Sequence, residues 1–168
     1  MSYPPPTYLG DDGEVTARFR PVDTPPELPL AHGAASYLAT GATTDGRFGL
    51  YRWDMGAEAG GAEPHFHRTI SESFFVLSGT VQLFDGTSWR PSGPGDFAHV
   101  PEGGVHGFRN ESGEAASLLI LFAPGAPREA YFEGLADLAE GRWTPDPRGV
   151  AGVPRRARQH LRGAAQIT

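Results

Sequence analysis

The chain contains no cysteine, so neither a disulfide framework nor a thiolate metal site is open to it. It has no apolar run near the ~20 residues that a membrane-spanning helix needs. Basic residues are in the minority. Fourteen Lys and Arg against 20 Asp and Glu give a formal net charge of −6 and a pI of about 5.4. That balance argues against a nucleic-acid partner and against an anionic membrane surface. The opening residues, Met1 to Pro6, show neither the basic start nor the apolar stretch of a secretory leader, so the expected location is the cytoplasm.

What the chain has in quantity is turn formers. Its 168 residues include 23 glycines and 16 prolines, a load that suits many short strands joined tightly and not a helical bundle. Residues 1–34 read as a Pro-rich arm of extended or edge-strand character. Residues 35–141 carry the strand pattern. Strands are expected at Ala35–Thr40, Arg47–Met55, Ser73–Ser78, Thr80–Asp85, Asp96–Pro101, Val105–Asn110 and Leu118–Phe122. Turns are expected at Ser78-Gly79, Asp85-Gly86 and Glu102-Gly103-Gly104. Strand signals every eight to twelve residues or so point to an all-β barrel or sandwich. The period then lengthens. Tyr131, Leu135, Leu138 and Ala139 fall on one helical stripe between Pro127 and Gly141, which predicts a helix packed on the outside of the barrel. Residues 142–168 form an Arg/Pro-rich tail, expected either to lie loose in solvent or to serve as a subunit interface or a strap over the barrel.

One constellation carries chemistry. In a strand, His65 and His67 project from the same face about 7 Å apart along the backbone. Imidazole nitrogens bind divalent metals at about 2.1 Å, so two such side chains can converge on one ion. Glu72 follows five residues beyond His67, where Arg68 to Ser71 can turn the chain into a neighbouring strand, and His106 comes from a separate strand. A lone histidine is more often a surface or hydrogen-bonded residue than a ligand. Four ligand-type residues in two turn-punctuated strand units weigh towards one divalent transition metal.

These residues resemble a known family. Gly60 to Gly79 is similar to the first cupin motif, G-x5-H-x-H-x4-E-x6-G, and Gly95 to Asn110 matches the second, G-x5-P-x-G-x2-H-x3-N. The first motif departs at one place, because four residues and not five separate Gly60 from His65. The likeness covers roughly residues 45–123. It implies a jelly-roll β-barrel with His65, His67, Glu72 and His106 as the metal ligands.

Three imidazoles and one carboxylate leave a divalent ion with a residual charge near +1 and one or two open positions. Such a site suits chelation of an enolate beside dioxygen, or polarisation of a carbonyl. The donor set does not choose among Fe, Mn, Ni, Co, Cu and Zn. Glu72 is the sole anionic ligand and the candidate base. Period two places Phe74, Val76 and Phe108 inside, with Tyr51, Trp53, Phe97 and Leu121 as further candidates for an apolar wall. Aromatic residues inside a small barrel are most often plain core. His99 is either a partner of the ligand shell or a strand residue facing away, and His32 and His160 receive no role. The run from Pro94 to His106, followed by a helix, resembles quercetinase-type single-domain cupins. That likeness implies a metal-dependent dioxygenase acting on a small enolisable or aromatic compound. The alternatives are a non-oxidative isomerase, decarboxylase or cyclase, and a metal-containing binding protein. A homodimer exchanging the N-terminal arm is expected, since the arm could close exposed sheet edges.

Overall fold

The computed structural model describes residues 3–14, 16–57, 60–139 and 141–142. Ten strands and one helix follow in chain order: β1 (Leu28–Leu30), β2 (Gly33–Ala39), β3 (Gly49–Met55), β4 (Gly60–His65), β5 (Ser71–Ser78), β6 (Val81–Phe84), β7 (Trp89–Ser92), β8 (Phe97–Val100), β9 (His106–Asn110), β10 (Ala116–Ala123) and α1 (Glu129–Ala139). They form a six-stranded sheet in the order β1-β2-β3-β10-β5-β8 and a four-stranded sheet in the order β4-β9-β6-β7. Every described pairing is antiparallel, and the two sheets are those of a jelly roll.

Strand register decides which side chains meet between the sheets. In the large sheet Glu72 pairs with Phe122 and Val100, and Phe74 pairs with Ile120 and Ala98. Residues directly opposite share a face. Glu72, Phe74 and Val76 therefore point inward with Leu118, Ile120 and Phe122, and all six are buried. Tyr51 and Met55 enter the same layer from β3, and Val81, Leu83 and Phe108 from the small sheet. Each large apolar side chain buried in this way contributes about 1.5–3 kcal/mol.

Two strands were hidden in the sequence for one reason. β4 contains Pro64 and β7 contains Pro91, and proline reads as a strand breaker. Both are edge strands of the small sheet, where a missing N–H is tolerated. β1 lies within the Pro-rich arm and pairs with β2 as the outer edge of the large sheet.

The helix differs from expectation in face and in place. Its buried residues are Phe132 and Ala136, while Leu135 and Leu138 stand about 40% exposed. The buried stripe is thus one residue round from Tyr131–Leu135–Leu138, and the side chain of Ala139 lies outside the described residues. Phe132 makes edge contacts with Tyr51 at 5.2 Å and Trp53 at 5.1 Å, both inward-facing residues of β3. So α1 does not ride on the outside of the barrel. It covers the inner face of the large sheet where the smaller sheet leaves it open.

Two glycines hold the motif turns. A Cβ on Gly61 would stand 1.9 Å from the Phe108 carbonyl oxygen, and Gly61 has a φ of +148°. Gly60 has open space around it, so the constraint of the first motif falls on Gly61. Gly79, with φ +71°, leaves no room for a side chain against Ala115. No described helix is long and apolar enough to cross a membrane. The tail 143–168, including His160, lies outside the described residues.

Candidate metal centre

His65 is the last residue of β4 and sits directly opposite His106, the first residue of β9. These two histidines belong to the small sheet. Glu72 faces them from β5 of the large sheet, and His67 occupies the segment that carries the chain from one sheet to the other. His67 is therefore past the end of the strand, and not paired with His65 along one strand as the spacing implied. Its backbone is pinned by the Gly103 N–H, which donates to the His67 carbonyl at 2.8 Å.

One ligand-type atom from each of His65, His67, Glu72 and His106 lies within 4.8 Å of the others. Glu72 is 3% exposed and His106 is 1% exposed, while His65 and His67 are half-buried and form the open side. The Nε2 atoms of His67 and His106 each stand 2.8 Å from the same oxygen, Glu72 Oε2. Donors held at right angles about 2.1 Å from one ion lie about 3 Å apart, so the spacing fits a shared metal. The other faces of two rings are fixed by backbone. His65 Nδ1 donates to the Glu63 carbonyl at 2.7 Å, and His106 Nδ1 donates to the Gly104 carbonyl at 2.9 Å. A proton held on Nδ1 leaves Nε2 as the free lone pair, the usual arrangement behind a histidine ligand.

The electrostatics make the same point. Burial alone would raise the Glu72 carboxyl, but hydrogen bonds and charge from His106 and His67 bring it down to about 2. Burial would lower His106, but the hydrogen bond and negative charge of Glu72 outweigh it, and its pKa is raised. Burial holds His65 below the ordinary histidine value. Without metal, the proton that His106 donates to Glu72 thus stands where a divalent ion would stand. The donor set and its charge balance fit one such ion.

The predicted wall residues separate into three groups. Phe74 touches the His106 ring at 5.9 Å, and behind it Phe108 and Trp53 follow in edge or tilted contacts of 5.8 and 6.3 Å. Tyr51 and Val76 are deeper core, and the Tyr51 hydroxyl donates to Glu129 Oε1 at 2.6 Å. Phe97 and Leu121 do not face the site. Phe97 pairs with Phe75 on the outer face and is 65% exposed, and Leu121 pairs with Ser73 on that same face. The inward neighbour is Phe122, whose ring lies 6.1 Å from His67. An unbroken apolar run from Leu118 to Phe122 has no alternation to reveal this, and only the pairing with β5 does. His99 also faces outward, where its Nδ1 lies 3.0 Å from the Ser73 hydroxyl. A cleft of about 820 Å³ opens between the edge strands β8 and β7. None of the four ligand-type residues lines it, although Val100, opposite Glu72, does.

Sequence reasoning passed over Arg128 altogether. It directly precedes α1, and its guanidinium carbon lies 4.9 Å from the Phe122 ring centre, 4.4 Å from that of Tyr131 and 5.4 Å from that of Phe132. The one signal for it in the sequence is a basic residue at a helix start, where cations are disfavoured.

Residues 51–122 match the cupin domain model. This stretch is a cupin domain. Quercetin 2,3-dioxygenase of Bacillus subtilis (strain 168) is 31% identical over 108 residues, 64% of this chain and 31% of that protein. An uncharacterized protein of Aquifex aeolicus (strain VF5) is 38% identical over 61 residues, 36% of this chain and 50% of that one. The chain thus spans about a third to a half of the length of these relatives. Among the solved structures similar to this chain, two show the likeness of fold. KdgF from Halomonas sp. superposes with a TM-score of 0.56 at 15% identity, over 66% of this chain and 94% of that one. The polyketide cyclase RemF from Streptomyces resistomycificus gives 0.54 at 24% identity, over 67% and 82%. The two motif segments come together beside the crossing between the sheets, and there the four ligand-type side chains converge.

Proposed function

We propose that this protein is a metal-dependent cupin enzyme that holds one divalent transition metal through His65, His67, Glu72 and His106 and oxidises a small enolisable or aromatic compound with dioxygen. The observation that carries this reading is the buried Glu72 carboxylate, whose Oε2 stands 2.8 Å from the Nε2 atoms of both His67 and His106. The likeness to a quercetin 2,3-dioxygenase supports the oxidative form of the reading. When bound, the ion supplies a Lewis acid that lowers the pKa of a chelated hydroxyl. Glu72 is the group on the chain placed to take that proton, since a carboxylate within hydrogen-bond reach is a general base. Phe74 and Phe122, both buried, pack against His106 and His67 and keep the surroundings of the ion apolar. His65 and His67, half-buried, form the side from which such a ligand reaches the ion.

Oxygen uptake by protein loaded in turn with Fe, Mn, Co, Ni, Cu and Zn, offered flavonols and small enols, tests the reading. Substrate-dependent uptake by at least one metal form is expected. Turnover without oxygen uptake moves the assignment to isomerisation, decarboxylation or cyclisation, because the same donors polarise a carbonyl. Tight binding with no turnover moves it to a binding protein. A cytoplasmic homodimer completes the proposal. Light scattering that gives the mass of one chain refutes the dimer.

A further inference from the structure

Among the described residues the Arg128 guanidinium makes no hydrogen bond or ion pair with a carboxylate. Its Nε is buried and has no hydrogen-bond partner among the described residues. No described carboxylate forms an ion pair with it, and the neighbouring Glu129 instead accepts from the Tyr51 hydroxyl. Three aromatic rings, Phe122, Tyr131 and Phe132, hold the guanidinium in place from the side. Phe122 is also the ring against His67, so one side chain spans the distance from the candidate metal ligands to Arg128. Arg128 and Glu72 lie within electrostatic reach of each other, and so do Arg128 and His106. The Arg128 side chain is half-buried with its Nε wholly so, and a cation drawn out of water costs free energy unless something anionic pairs with it. Cation–π contact alone supplies about 2 kcal/mol at best and leaves the N–H groups unmade.

We propose that Arg128 is the anion-recognising residue of the metal site, donating to a carboxylate or enolate oxygen of a ligand whose other oxygen reaches the ion. The proposal rests on the metal reading above and adds the charge of the substrate to it. With a divalent ion among three neutral histidines and Glu72, the site carries about one positive charge, and Arg128 adds a second. A monoanion spanning the ion and Arg128 would meet both charges. A fork of N–H donors in a fixed plane favours paired oxygens over a single point charge.

The test uses the full-length protein loaded with Co(II) and two probes of one shape, 2-hydroxybenzoate and neutral 2-hydroxybenzamide, with binding followed by the visible absorption of Co(II). Because the ion itself attracts an anion, the informative quantity is the change in the ratio of the two affinities on substitution. Arg128→Gln is expected to cut the preference for the anion by about tenfold or more, the weight of a charge-assisted hydrogen bond. Benzamide affinity and Co(II) stoichiometry should stay within about twofold. Arg128→Lys keeps charge and stem but loses the fork, and should lower the preference several-fold. It also serves as the reading variant should Arg128→Gln fail to fold. An unchanged ratio in the folded variants, or an equal loss for both probes, overturns the proposal and leaves Arg128 as a packing element of the aromatic cluster. Wild-type protein that takes up no stoichiometric Co(II) overturns the metal reading itself, and this proposal with it.

Discussion

Replacing Glu72 with glutamine separates the two roles proposed for this side chain. The amide keeps the shape of the carboxylate and one acceptor oxygen, but it has neither the charge nor a basic site. Glu72 is 3% exposed, so no water replaces what is lost. Its Oε2 accepts from two imidazoles at 2.8 Å in the metal-free site, and an amide oxygen serves these only as a neutral acceptor. Charge-assisted bonds are about twice as strong as neutral ones, which makes the loss about 1–3 kcal/mol. Much of it is recovered when His106, no longer held by an anion, returns to its neutral form. Folding should therefore survive. A positioned general base contributes about 10²–10⁴-fold to turnover, equal to about 3–5 kcal/mol at 1.36 kcal/mol per decade. The expected result is metal binding weakened by about 10–100-fold, the scale on which disturbed ligand shells act. At saturating metal the turnover number should fall by about 10²–10⁴. Co(II) titration gives the first quantity and oxygen uptake the second. A fully metal-loaded Glu72→Gln protein with turnover within about tenfold of the wild type would refute the role of Glu72 as base.

Four further outcomes follow from the geometry. Metal uptake must expel the proton that His106 shares with Glu72, and the pKa of His106 is raised above 6.5. Competition by protons should therefore extend above pH 6.5, with chelator-measured affinity still rising from pH 6.5 to 8; an affinity flat across that range contradicts this. The same shift fixes the sign in metal-free protein. Stability from His106 is whole below pH 6.5 and is lost as pH rises through its raised value, so urea midpoints of chelated protein should fall where those of loaded protein do not. Phe132→Ala removes a ring that is 6% exposed and packed on Tyr51, Trp53 and Phe122, and should cost about 3–5 kcal/mol in thermal or urea unfolding; a cost under about 1 kcal/mol would remove α1 from the core. Gly61→Ala forces a Cβ against the Phe108 carbonyl and should cost about 1–3 kcal/mol, seen as faster amide exchange along β4 and β9; unchanged exchange would show that the register shift between Ala62 and His65 in the β4–β9 pairing absorbs it.

Arg47–Met55 could be read in the sequence because a half-buried strand writes its two faces in period two, and Ser73–Ser78 because the Ser78-Gly79 turn marks its end. Trp89–Ser92 and Gly60–His65 could not, because proline at a sheet edge costs nothing there and looks like a breaker. Phe97 and Leu121 show the other limit. Phe97 is as apolar as any wall residue, yet its neighbours Ala98 and Val100 take the inward face. Side-chain size does not fix the face of a strand that is apolar on both sides. The helix stripe failed by a single residue for a related reason: Phe132 and Tyr131 are equally plausible anchors until the position of Tyr51 is known.

The four ligand-type residues were legible because their spacing is set by a turn between sheets and not by a face of one strand. A strand can slip by one residue and reverse every side chain. His67 is exempt from that ambiguity, since it stands in the crossing segment and its carbonyl is tied to Gly103 of the second motif. Gly103 in turn lies two residues before Val105 and three before His106, so the same backbone bond that places His67 also sets the start of β9. The two motifs are thus one device, each half fixing the register of the other. Arg128 has no part in it. It stands beyond the barrel on the entry to α1, and its link to the site runs through Phe122, a residue whose face the sequence does not declare. Residues tied by backbone geometry to a motif can be read in advance. A residue that reaches the site through a packed ring becomes visible only when the packing does.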